Sequence, residues 1–169
     1  MTKEKENKGL LLWYLSMAIP YNVVVSCIII DYNTEEKEIG NHPTYKGDGT
    51  LFLIDKLSNR ACIRPILEGK SYREKVYFEQ MCNKGYIAIE NVKPYLRPLS
   101  SMTEQELEEL NCLCYHHISV QDDVLCGQIC YVEITDVQNF LLRNHFDFMG
   151  LIPKGLAIEV GEVDNPYKG

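Results

Sequence analysis

Between Thr103 and Leu142 the sequence contains no lysine and no arginine, although eight Asp or Glu fall in the same stretch. A surface that binds nucleic acid by releasing counterions needs clustered cations. That segment is therefore excluded as such a surface, and the formal net charge of −7 argues against nucleic acid as a partner of the whole chain. Long apolar runs are also missing. A membrane span needs roughly 20 mainly apolar residues, and the apolar stretch after Gly9 is broken at Pro20, Tyr21 and Asn22. Paired cysteine spacing is missing too. Seven cysteines are an odd number without regular intervals, in a chain too long to need a disulfide framework, and reduced thiols in a cytoplasm fit that pattern. No internal repeat, low-complexity segment or linker interrupts the chain.

What is present fits a folded protein. A chain of 169 residues with 46% hydrophobic content can bury a core. The expected layout is one domain over residues 10–163, with flexible ends at 1–9 and 164–169. The start, "MTKEKENKGLLLWYLSMAIPYNVVVSC", has the outline of a lipoprotein export signal. Glu4 and Glu6 offset its lysines, however, and Pro20 interrupts the apolar run before Cys27. The expected location is cytoplasmic, with no membrane contact.

Pattern and punctuation then give the elements. Residues Leu10 to Met17 read as a short apolar helix stopped by Pro20, and "NVVVSCIIIDY" as a strand covered on both faces. "NTEEKEIGNHPTYKGDG" reads as loop, with "KGDGT" (Lys46 to Thr50) as a hairpin turn, because it lacks the order and context of a phosphate-binding loop. "TLFLID" and "RACIRPIL" follow as strands, the second ending near Pro65. "SYREKVYFEQMCNKG" changes to a helical period, with Ser71 and Glu74 as a capping box and Gly85 at the far end. "YIAIENV" alternates as a strand and leads into an extended surface path, "KPYLRPLSSM". Thr103 and Glu106 form a second capping box, with Met102 and Leu107 as its apolar staple. Thr135 and Gln138 repeat the cap pattern ahead of Val137, Phe140 and Leu141. "GLAIEV" is a last short strand. Strands and helices do not alternate regularly, so the expected class is α+β: a small twisted antiparallel sheet with two to three packed helices.

The candidate chemistry lies in "NCLCYHHISVQDDVLCGQIC", with four cysteines and two histidines from Asn111 to Cys130. If the helix from Glu104 continues, Cys112 and His116 share a face. With Cys126 and Cys130 they make a candidate zinc set, in which His117 can replace His116. The spacing matches no finger, ribbon or knuckle, so the expectation is no cofactor, with zinc as the exception to watch. A Cys–His nucleophilic pair has no basis in spacing. His145 and Asp147 in "NHFDF" suggest acid–base work, but a helix C-terminus favours histidine without any catalytic role. Eight carboxylates over forty positions are too sparse to imitate a nucleic-acid backbone.

Two segments, "PYLRPLSSMT" and "HFDFMGLIPKGLAIE", resemble a group of small uncharacterised proteins of gut Bacteroidales and their phages or mobile elements. Those proteins carry "PxLRPLSxxT" and "HFDxxGLIxxGLAIE". "WYLSMAIPYNVVV" is similar to their "YLPYGL" opening, with Asn22 at the place of the glycine. The resemblance implies a cytoplasmic accessory protein and carries over no activity, cofactor or site. The functional expectation is a non-catalytic protein-binding or adaptor module for a host or phage protein. The alternative is a metal- or thiol-dependent enzyme built on residues 112–130.

Overall fold

The computed structural model describes residues 2–30, 44–83, 87–161 and 165–167. Contacts divide the chain into two compact units, 1–94 and 95–169. The first opens with α1 (Lys3–Ala18), which starts well before Leu10 and takes in most of the 1–9 segment expected to be flexible. Leu11, Tyr14, Leu15 and Ala18 are its buried residues, the spacing that puts apolar side chains on one helical face. A 3-10 turn at Ile19–Tyr21, with Pro20 near its start, ends the helix. Asn22 then adopts φ 53°, a left-handed conformation that glycine takes freely and asparagine tolerates.

Three antiparallel strands follow: β1 (Val24–Ile30), β2 (Thr44–Asp55) and β3 (Arg60–Pro65). Of the loop expected at 33–49, residues 33–43 lie outside the described residues and 44–49 belong to β2, so the hairpin turn expected at Lys46 to Thr50 is in fact mid-strand. Gly47 pairs with Cys27, and Gly49 pairs with both Val25 and Pro65. These glycines provide clearance rather than reversal. A Cβ on Gly47 would meet the Phe78 ring at 2.5 Å, and one on Gly49 would collide with Ile63 and with the Arg64 carbonyl at 2.6 Å. Phe78 belongs to α2 (Tyr72–Asn83) and is buried. The Ser71 cap forms as expected: Ser71 N–H donates to Glu74 Oε2 (3.0 Å), and Glu74 N–H donates to Ser71 Oγ (3.4 Å). Gly85 lies outside the described residues.

The strand expected over "YIAIENV" is broken. β4 is only Ile87–Ala88, a 3-10 turn follows at Ile89–Asn91, and β5 (Val92–Leu96) takes up the segment expected to run over the surface. Val92, Lys93 and Pro94 pair with Cys27, Ser26 and Val25 of β1. Both prolines of "KPYLRP" fit because Pro94 precedes the ladder on the other edge, which begins at Tyr95, and Pro98 follows the strand.

In the second unit α3 (Glu104–Cys112) carries the expected capping box: the Thr103 side chain accepts from Glu106 N–H, and Glu106 accepts from Thr103 N–H. Met102 and Leu107 both pack on the buried cluster of Leu99, Leu110, Ile118, Val137, Phe140, Leu141 and Phe146. Next come a hairpin of β6 (Ser119–Gln121) and β7 (Val124–Cys126), then α4 (Ile134–Arg143) and β8 (Ile158–Glu159). α4 starts one residue before Thr135, and its N-cap Glu133 makes no cap bond with its side chain. The Thr135 and Gln138 cap is therefore not formed, because the helix already includes Ile134 and Thr135 falls inside its first turn.

The α+β class holds, with two corrections. Among the described residues there are four α-helices rather than two to three. The six-stranded sheet, in order β4-β3-β2-β1-β5-β8, is mixed rather than antiparallel. Tyr95 and Leu96 pair with Ile158 and Glu159 in parallel. Parallel neighbours need a long crossover connection, and residues 97–157 supply it. Among the described residues no helix is long and apolar enough to cross a membrane.

Candidate functional site

The cysteine and histidine segment folds as a clasp built by other residues. α3 ends at Cys112 with Leu113 as its C-cap, so Cys112 and His116 do not share a helical face. Asn111 stops the helix from continuing by holding the returning chain. Its Nδ2 donates to the carbonyls of Leu107 and Ile118 (2.9 Å each), and its Oδ1 accepts from Ile118 N–H (2.6 Å). Two residues then reverse the β6–β7 hairpin, Asp122 (φ 48°) and Asp123 (φ 58°). Positive φ at both central positions is the geometry of a type I′ turn. Asp123 Oδ1 accepts from Ser100 N–H (2.8 Å) and fixes the hairpin tip. Gly127, at φ 145°, is required because a Cβ there would meet the His117 carbonyl and the Ile118 side chain at 2.7 Å.

Glu133 closes the clasp. It is buried, and its two oxygens accept from Tyr115 N–H (2.5 Å) and Cys130 N–H (2.7 Å), satisfying donors that would otherwise be stranded. Cys114 packs against the apolar cluster. Burial and the nearby Glu133 and Cys130 raise its thiol pKa, which disfavours a reactive thiolate. Cys112 and His116 are exposed, while Cys126 and Cys130 are half-buried. Among the described residues no three His, Cys, Asp or Glu converge as a metal-binding group. The four zinc candidates are thus held in one clasp without meeting at a point.

The candidates His145 and Asp147, and the charged residues around them, also have structural duties. Arg97 makes a bidentate pair with Glu106 (2.6 and 2.9 Å), donates to the Ser101 carbonyl, and lies 4.4 Å over the Phe146 ring. That guanidinium holds the Glu106 carboxyl down to about 2. Asp147 is buried and accepts from Leu151 N–H and Ile152 N–H, both at 2.7 Å. His145 terminates α4: its N–H donates to the Leu142 carbonyl and that of Phe146 to the Leu141 carbonyl, with His145 itself at φ 58°. These bonds define a Schellman motif, whose left-handed position is usually glycine. His145 sits at the helix end as expected, but burial there outweighs the favour that a helix C-terminus gives a histidine cation. Burial, with Arg97 adding repulsion, pushes His145 down to about 4, and its ring stacks on Tyr167 at 3.6 Å. His145 and Asp147 flank the Arg97 backbone, which donates to the His145 carbonyl and accepts from Asp147 N–H. "PYLRPLSSMT" and "HFDFMGLIPKGLAIE" therefore meet in a backbone ladder around β5.

What sequence reasoning missed is a cleft of about 520 Å³ between α4 and the β6–β7 hairpin. Leu99, Val137 and Leu141 of the buried cluster reach it, joined by the half-buried Leu125, Ile129 and Phe148. Val124, 58% exposed, and Ile134 are apolar residues at its opening, and Asp123 and Gln138 add polar atoms. Nearby in sequence, Tyr131 and Val132 are 89% and 72% exposed. The size is that of pockets that take a small ligand or a few side chains, and the apolar lining favours burial over chemistry. Alternation of "SVQ" and "VLC" about Asp-Asp was the available sequence signal for the hairpin. Comparison of the chain with family models, with curated proteins and with solved structures finds no match.

Proposed function

We propose that the chain is a non-catalytic protein-binding module, a cytoplasmic accessory protein of phage or mobile-element origin that engages a host or phage protein. The observation that carries the reading is the cleft. It exposes part of a hydrophobic cluster next to Val124 and Ile134, and apolar surface of that kind on a folded protein marks interaction sites. The titratable groups closest to catalytic constellations support the same reading, because Glu133, Asp147 and Glu106 are each committed to backbone or guanidinium donors. The resemblance of "PYLRPLSSMT" and "HFDFMGLIPKGLAIE" to small proteins of Bacteroidales phages and mobile elements supports the accessory setting.

The test is site-specific crosslinking in a Bacteroidales host. A photoreactive residue at Val124 is expected to capture one dominant protein, whereas the same residue at Glu79 on α2 captures none. Equal labelling from both positions, or none from either, would count against the module.

A further inference from the structure

We infer that the cleft between α4 and the β6–β7 hairpin takes a cationic amphipathic helix, a protein segment that places apolar side chains in the cleft and lysines or arginines toward its acidic surroundings. This rests on the protein-binding reading and adds the chemistry of the partner. The second unit holds 12 Asp or Glu against 4 Lys or Arg, whereas the first holds 12 against 13. The imbalance is sharpest in the segment that builds the cleft, since Thr103 to Leu142 has no basic residue. Asp123 lines the cleft and Asp122 stands beside it in the hairpin turn, both of them exposed. Lys154, a basic residue bonded to the lining Gly150, is engaged with backbone, its Nζ donating to the Gly150 carbonyl (2.8 Å) and the Met149 carbonyl (3.4 Å). The carboxylates of the cleft belong to the hairpin tip.

Shape and charge together select the occupant. An apolar groove beside a helix is the setting in which a partner helix inserts anchors spaced three or four residues apart. Charge then discriminates among partners, because like charges across an interface are costly and opposite charges steer association. An anionic membrane or a nucleic acid would meet the excess of carboxylates unfavourably, and so would the cleft face of a second copy. The stretch from Lys56 to Arg97 of a second copy, with nine basic residues against four acidic ones, would attract, but a head-to-tail contact between different surfaces polymerises unless the ring closes. A separate cationic helix meets neither objection.

Three labelled helical peptides of identical apolar face, with lysine, glutamine or glutamate on the polar face, test this by fluorescence anisotropy on the full chain. The lysine peptide is expected to bind about tenfold or more tighter than the glutamine peptide, the gap closing at about 0.5 M salt. Gln138→Arg, which brings a cation to the cleft, should weaken the lysine peptide about tenfold. Val124→Ser should weaken all binding, and Glu79→Arg should change nothing. Thermal unfolding checks that each variant is folded. Equal binding of the lysine and glutamine peptides would overturn the cationic class and leave the binding module standing. If no peptide binds while Val124 still crosslinks a protein in cells, this inference alone fails. Failure of both experiments removes the module as well. Tight binding of anionic vesicles, or concentration-dependent self-association in sedimentation, would overturn the choice of a cationic helix as occupant.

Discussion

Residues 1–94 and 95–169 are held together by different means. In the first unit, ladders organise the chain: seven residue pairs join β1 to β2, and six join β2 to β3. Apolar side chains such as Val25, Leu51 and Ile63 fill the interior. In the second, β6 with β7 and β5 with β8 contribute three and two pairs. Side chains do the ordering there: Asn111, Asp123, Glu133 and Asp147 each hold backbone N–H groups of a distant or looping segment. Where regular elements are short, buried backbone donors still need acceptors, and carboxylates and amides stand in for a neighbouring strand.

The sharpest way to break that contrast is to remove one such acceptor. Asp147→Ala strands the N–H groups of Leu151 and Ile152, and should cost about 3 to 5 kcal/mol, as two charge-assisted bonds are lost. Denaturant unfolding measures the cost, and hydrogen exchange should show protection lost first at those two amides. In the first unit the matching lesion is apolar: Leu51→Ala should cost about 3 kcal/mol through cavity formation. If Asp147→Ala proved the milder of the two, the second unit would owe its stability to its core after all.

Acid provides a third test, which His145 makes specific to the second unit. His145 sits near 4 against an ordinary 6.5, so the unfolded chain takes the proton first. Its contribution is complete above pH 6.5 and is lost as pH falls toward 4, on the order of 1 to 2 kcal/mol after solvent screening. Glu106 acts in a lower window, losing its contribution as pH falls from 4.5 toward 2. His145→Asn, which keeps a residue tolerant of positive φ, should flatten the stability profile between pH 6.5 and 4 while leaving the Glu106 window in place. Urea midpoints measured at half-unit intervals decide it.

The smallest effects concern the α3 cap. Thr103→Ala should cost about 1 kcal/mol. Ser100→Ala should cost under about 0.5 kcal/mol, because Asp123 is held by the Ser100 backbone N–H, which alanine retains. Paired thermal melts separate the two, and equal losses would mean that the Ser100 hydroxyl carries weight of its own.

Legibility in the sequence followed the range of each contact along the chain, and not the boundary between the units. The caps at Ser71 and Thr103 were readable because a capping box is a contact between residues three apart, and β1 because its β-branched residues run together, although the cover expected on both faces holds from Val24 to Cys27 and fails at the exposed Ile28. Lys46 to Thr50 misled because two glycines signal a turn locally, whereas Phe78 and Ile63, which need the clearance, lie far along the chain. Thr135 misled too: the cap pattern was present, but the helix already includes Ile134 and Thr135 falls inside its first turn. The cleft left no motif at all. Its residues come from five separated stretches, and only the turn-forming Asp122 and Asp123 could have hinted at one wall of it.

The parallel pairing of β8 with β5 fixes an order of events as the chain emerges. Tyr95 and Leu96 are made sixty-odd residues before Ile158 and Glu159, and a contact between such distant positions forms late, after the intervening loop has been closed. Until then one edge of β5 has bare backbone donors and acceptors, open to pairing with other chains. Any truncation that removes Ile158 makes that transient state permanent, so shortened forms should precipitate even when everything before the cut has folded.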